Sequence, residues 1–174
     1  MRNLILTVAL LIATLTANAF GTVEVEAGLA NGGETIRFYQ ATPPNKDGFG
    51  TFGFAVISKF YSQAYAGATY SPNQHIWLEL GYGLESVPGN SGRIGGTVIL
   101  SSGEFSLVHC QESGGSGNFN KTVINYQISP KVTLGVVDDR FMGTGPKIDY
   151  KIEDYKIRFV SFPDRPTLSV IKSF

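Results

Sequence analysis

The side chains that could run an enzyme are sparse in this sequence, and they sit in the wrong company. His75 and His109 are the two histidines and Cys110 is the one cysteine. His75 is followed by Ile76 and Trp77, and His109 by Cys110 and Gln111. Neither neighbourhood matches a motif for nucleophilic catalysis, in which a serine or cysteine is paired with a histidine and a carboxylate. Cys110 has no basic neighbour to activate its thiol. Asp138 and Asp139 are adjacent carboxylates, but consecutive side chains on a strand point to opposite faces and make a poor cage for a divalent cation. The run Gly114-Gly115-Ser116-Gly117 has no Lys-Ser/Thr pair and no following helix, so it is no phosphate loop. A lone cysteine forms no internal disulfide and excludes a multi-cysteine zinc site. The expectation is a protein with no catalytic residues, no metal and no cofactor.

What recurs is charge in strict alternation with apolar residues. Ile148, Tyr150 and Ile152 alternate with Lys147, Asp149, Lys151 and Glu153. Tyr155, Ile157 and Phe159 alternate with Lys156 and Arg158. Leu78, Leu80, Tyr82 and Leu84 alternate with Glu79, two glycines and Glu85. Val23 and Val25 alternate with Glu24 and Glu26. A period of two is the signature of a strand with one apolar and one polar face. No convincing helical period occurs in residues 20–174. Turn signals such as Asn31-Gly32-Gly33, Ser71-Pro72-Asn73-Gln74 and Val87-Pro88-Gly89-Asn90-Ser91-Gly92 cut the chain into about twelve such segments. Most are longer than the roughly 5–6 residues usual for soluble strands and close to the 9–11 of a tilted strand crossing a bilayer.

Composition narrows the class further. Charged residues make up 16% of the chain, against roughly 25% in an ordinary soluble domain. The 14 basic residues balance the 14 acidic ones, so there is no basic excess to neutralise phosphates, and nucleic acid is not an expected partner. Residues 1–19 read as a cleaved secretory signal peptide. Arg2 is followed by an apolar run from Leu4 to Leu15 and by Ala17-Asn18-Ala19, a charged segment, an apolar segment and a small-residue cleavage site. Residues 20–174 then form one domain.

Alternation alone fits two architectures. A soluble sandwich turns the apolar faces inward, whereas a membrane barrel turns them to lipid and the polar faces to the interior. The last strand reads Thr167-Leu168-Ser169-Val170-Ile171-Lys172-Ser173-Phe174. Leu168, Val170 and the terminal Phe174 resemble the C-terminal signature of bacterial outer-membrane β-barrel proteins, with Lys172 in place of the usual apolar residue. The resemblance implies a cleaved export signal, an outer-membrane location, and recognition of Leu168, Val170 and Phe174 by the barrel-assembly machinery. It also implies a closed, antiparallel, up-and-down transmembrane barrel of about twelve strands (range 10–12), with both termini at the periplasmic end. Loops 87–92, 113–119 and 142–146 then lie outside, and tight turns at 102–103, 129–130 and 153–154 lie on the periplasmic side. Phe20, Phe38, Phe60, Tyr70, Phe105, Phe119, Phe141, Phe159 and Phe174 fall mostly near segment ends, as interfacial girdles require.

On this reading the pore-lining residues are Glu24, Glu26, Arg37, Glu79, Glu85, Arg93, Lys121, Asp139, Lys147, Asp149, Lys151, Lys156 and Arg158. Lys59 and Glu104 share their polar phase, and so do glycines 53, 67, 81, 83, 95 and 135, which keep the lumen open or let the strands bend at closure. Two arrangements of the charges stand side by side. In one, a basic wall of Lys147, Lys151, Lys156 and Arg158 faces an acidic wall of Glu79 and Glu85 across the pore. In the other, neighbouring charges pair in a ladder. The function expected is a narrow pore for small solutes or ions, embedded in outer-membrane lipid. The rivals are a non-conducting structural or adhesive barrel, a lipid-acting barrel enzyme, and a soluble secreted β-sandwich.

Overall fold

The computed structural model describes residues 19–29, 33–87, 89 and 91–174. Twelve strands run in chain order: β1 (Phe20–Gly28), β2 (Glu34–Ala41), β3 (Phe49–Ser58), β4 (Ser62–Asn73), β5 (Ile76–Glu85) and β6 (Gly92–Ser102), then β7 (Phe105–Gly114), β8 (Gly117–Gln127), β9 (Val132–Asp139), β10 (Gly143–Ile152), β11 (Tyr155–Val160) and β12 (Thr167–Ser173). Each pairs antiparallel with its sequence neighbours, and β1 closes the ring on β12 from Thr22↔Ser173 to Gly28↔Thr167. Closure satisfies every strand edge, so no open edge remains to pair with another chain. The signal-peptide reading of residues 1–19 falls, but for Ala19, outside the described residues, and the Asn31-Gly32 turn lies outside them too.

Burial decides which face is which. Leu80 is 63% exposed, Ile148 43% and Leu134 42%, whereas Lys147 and Asp149, on the other face of β10, are each 4% exposed. The apolar faces therefore point outward and the ionic faces inward. A sandwich would have reversed this, and it is excluded. The outer surface is a belt of Val25, Ile36, Leu80, Tyr82, Leu84, Ile94, Val98, Ile124, Leu134, Val136, Ile148, Ile157 and Val170. Such a belt is stable against hydrocarbon and unstable against water, which makes this a membrane-spanning barrel.

Several expectations need correction. Ser71 and Pro72 do not end β4. The strand continues to Asn73 through a break in register after Tyr70, the bulge position at which a proline is tolerated. The connection expected at 113–119 is a tight turn between Gly114 and Gly117, and the 42–48 connection, at the end that carries the termini, outlasts it. Lys59 and Glu104 lie in exposed connections rather than on an inner strand face. Gly53 pairs with Gln40 and Ala66, on the outer face. Phe20 is in register with Ala41, which puts it inside, and Phe119, opposite Glu112, is inside as well. Exposed aromatics stand toward both ends: at the end carrying the termini Phe49 stacks near Tyr70 and Phe105 near Tyr126, both with ring centres 4.7 Å apart, and Phe174 covers Gly21, while Phe60, Phe141 and Phe159 are exposed toward the opposite end.

Some inward glycines leave less open space than a lumen-widening role requires. A Cβ on Gly67 or Gly81 would sit 2.7 or 2.8 Å from the Phe52 ring, and one on Gly95 would sit 3.3 Å from the Tyr65 ring. These glycines make room for aromatic rings that occupy part of the interior. At Gly83 a Cβ would lie 1.9 Å from the Ala64 carbonyl oxygen, which is backbone and cannot turn away. Gly83→Ala is therefore expected to lower barrel stability by about 1–3 kcal/mol, measured as a reduced temperature for the heat-dependent mobility shift of the folded barrel.

The outer face is uneven. On β5 four successive outward positions, Leu78, Leu80, Tyr82 and Leu84, are apolar. On β7 the outward residues after Phe105 and Leu107 are His109, Gln111 and Ser113, and on β8 the outward residues beyond Tyr126 and Ile124 are Thr122, Asn120 and Asn118. His109 Nδ1 lies 2.9 Å from Thr122 Oγ1, and Thr144 donates to Asp138, all on this outer patch.

Candidate functional site

Because strand neighbours lie about 4.8 Å apart and opposed residues share a face, the register brings the inward charges together in pairs. Glu24 stands opposite Arg37, Lys121 opposite Asp139, and Asp149 opposite Arg158. Two networks result, on different sectors of the wall.

The first runs from β8 round to β2. Asp149 accepts from Lys147 Nζ at 2.9 Å and from Arg158 Nε at 2.9 Å, with Lys156 Nζ at 3.6 Å. Arg158 reaches over β12 to Glu24 at 3.5 Å, and Arg37 lies 3.8 Å from Glu24 and 3.0 Å from Glu26. Lys121 and Asp139 are 3.7 Å apart. The charges of Arg37, six strands away around the ring, and of Glu24 and Glu26, five strands away, also act on Lys121. The interior is accordingly narrow at this level.

The second network sits on β4 to β7, at the end away from the termini. Arg93 donates from Nη1 to Glu85 at 3.0 Å and from Nε to Glu112 at 3.0 Å. Its Nη1 also reaches Ser116 Oγ at 2.7 Å and the Gly117 carbonyl. The Ser116 amide donates to Glu85, which folds the β7–β8 turn onto the inner face. Tyr61, in the β3–β4 connection, donates to Glu85 at 2.8 Å. Burial, and then the carboxylate it serves, hold the Tyr61 phenol above its ordinary value, so it remains a donor. Gln63 Nε2 completes the network at Glu112.

All thirteen sequence-derived positions share the inward phase of their strands. Lys151, close to the β10–β11 turn, is the one that is exposed rather than buried or half-buried. The ladder of neighbouring pairs is what forms, yet a difference between sectors survives it. On β8 to β2 six cations (Arg37, Lys121, Lys147, Lys151, Lys156, Arg158) stand against four carboxylates (Glu24, Glu26, Asp139, Asp149). On β4 to β7 three carboxylates (Glu79, Glu85, Glu112) stand against one guanidinium, Arg93. Sequence reasoning missed Glu112, because Ser106, Val108 and Cys110 precede it in phase and give β7 no ionic stripe. It also missed the inward aromatics Tyr39, Phe52, Phe54 and Tyr65, since an aromatic on a barrel strand reads as lipid-facing.

A closed antiparallel ring with ionic side chains inside and a lipid-facing apolar belt outside defines the class of transmembrane β-barrels. Solved structures of that class match it. The KdgM porin aligns over 89% of this chain and 98% of its own with a TM-score of 0.59 and 16% identity. The same porin in complex with disordered oligogalacturonate gives 0.59 and 15% over the same shares. The NanC porin, in a rhombohedral crystal form, gives 0.54 and 10% over 88% of this chain and 98% of its own. At such identities the likeness is one of fold. No protein-family model matches the sequence, and no curated protein matches it either.

Proposed function

We propose that this chain is an outer-membrane pore for small solutes or ions, exported by its N-terminal segment and inserted by the barrel-assembly machinery through Leu168, Val170 and Phe174. The observation that carries the reading is the inversion of the fold, with paired ions facing a closed interior while aliphatic side chains face out. Ions in a dry core would be costly, and water relieves that cost. The buried hydroxyls of Thr69 and Thr167, which have no protein partner, favour a hydrated interior for the same reason. The oligogalacturonate complex of KdgM supports solute passage through a barrel of this fold.

Purified barrel reconstituted in a planar bilayer is expected to show discrete conductance steps, small because Arg93, Phe52 and the Lys121 region narrow the path. A folded, heat-modifiable sample without conductance would remove the pore reading in favour of a structural barrel. Lys151 and Lys156 are the cations least committed to partners, exposed and 37% exposed respectively. Replacing both with glutamate is expected to move the reversal potential in a salt gradient towards cation selectivity. An unchanged reversal potential would show that the two do not line the path.

A further inference from the structure

We propose that the inner wall at the terminal end of the barrel holds a binding site for an organic ammonium cation, centred on Glu79. The proposal rests on solutes reaching the interior, as the pore reading requires. Seven carboxylates face inward. Glu24, Glu26, Glu85, Glu112, Asp139 and Asp149 each have a Lys or Arg within salt-bridge distance. Glu79 alone has none among the described residues. Its two hydrogen bonds, from the Tyr39 hydroxyl at 2.6 Å and Trp77 Nε1 at 2.9 Å, both fall on Oε1.

Thr69 and Thr97 are the register partners of Glu79 on β4 and β6, and aromatic rings stand along the wall beside it. Trp77 is the adjacent inner position on β5, and Phe20 meets it edge-on with ring centres 5.9 Å apart and planes at 66°. Tyr39 reaches in from β2, three strands away around the ring. Phe52 lies against Gly81, the next inner position on the other side. Tyr39 and Trp77 thus donate to one oxygen of the carboxylate, Phe20 stands beside Trp77 and Phe52 beside Gly81, and no Lys or Arg among the described residues is within salt-bridge distance of Glu79. Ring faces attract a cation through their quadrupole, and they suit a weakly hydrated alkylammonium better than a strongly hydrated metal ion. The carboxylate supplies the net charge, and the two donors fix its direction. A neutral ring-shaped solute would use the aromatics and not the charge.

Trp77 is the only tryptophan in the chain, so its emission reports on this site directly. Folded barrel in detergent, titrated with choline chloride, is expected to show a saturable change in that emission, and sodium chloride at equal ionic strength is expected to show none. Glu79→Gln keeps an oxygen acceptor for Tyr39 and Trp77, and its fold is checked by the heat-dependent mobility shift. It is expected to weaken choline binding by about tenfold. A change that never saturates, or one that is equal in Glu79→Gln, overturns the site. Conductance is read separately. Saturable binding without conductance leaves the site standing and removes the pore, whereas conductance with a silent Trp77 does the reverse.

Discussion

Arg93→Met is expected to lower the unfolding free energy of the barrel by about 3–5 kcal/mol, the usual cost of removing one partner from a buried ionic group. Arg93 is 3% exposed, Glu85 0% and Glu112 7%, and the guanidinium is the one cation among them. Without it two carboxylates face each other across β6 with only neutral donors left, and each must lose its charge or draw in water. The loss is to be read by urea titration of the barrel in lipid vesicles. Adding Glu85→Gln and Glu112→Gln to the same chain is expected to return most of the stability, because amides do not repel. A single Arg93→Met variant as stable as the parent would show that the cluster is hydrated and inessential. The same cluster pins the β7–β8 turn through Ser116, so the variant is also expected to raise single-channel conductance by widening the end opposite the termini.

The second large effect concerns the outside. Leu80→Arg places a charge mid-strand on the lipid face, where an arginine costs about 2–4 kcal/mol at the bilayer midplane. Thr133→Arg, on the inner face opposite Asp149, is expected to cost less, since the inner face is polar and faces no hydrocarbon. The pair is measured by the same urea titration. Equal costs at the two positions would contradict the orientation of every strand.

How much of this was legible beforehand follows from which interactions are local. Alternation is a property of consecutive residues, so β5, β10, β11 and β12 could be read with their facing, and the parity of the strands followed from the turns. The terminal Leu168, Val170 and Phe174 fixed the phase of the last strand. Register is set by pairing between strands, which a linear pattern does not show. That is why Gly53 was placed on the wrong face, and why Glu112, reached by Arg93 from the neighbouring strand, was not seen. β3 illustrates the difficulty. Phe52 and Phe54 alternate with Gly53 and Ala55, and period two alone would send the rings to lipid. Ring closure against Tyr39, Tyr65 and Ala41 turns them inward. The Ser113–Asn118 stretch looked like a long loop because its Gly and Ser content mimics one, but the ladder from Arg93↔Gly114 to Gly114↔Gly117 extends the strands to the tip.

The polar outer positions of β7 to β9 have a mechanical result. Where His109, Gln111, Asn120 and Asp138 replace aliphatic residues, the hydrocarbon-compatible height of the wall falls by roughly two outward positions, or about 10 Å along the barrel axis for a tilted strand. A cylinder whose greasy rim is lower on one side does not stand upright in a film of uniform thickness. It leans until the low side meets head groups, or the film thins beside it, and either response has an energy set by hydrophobic mismatch. The axis of this barrel is therefore expected to be inclined, with the shallow side, β7 to β9, dipping away from the acyl chains.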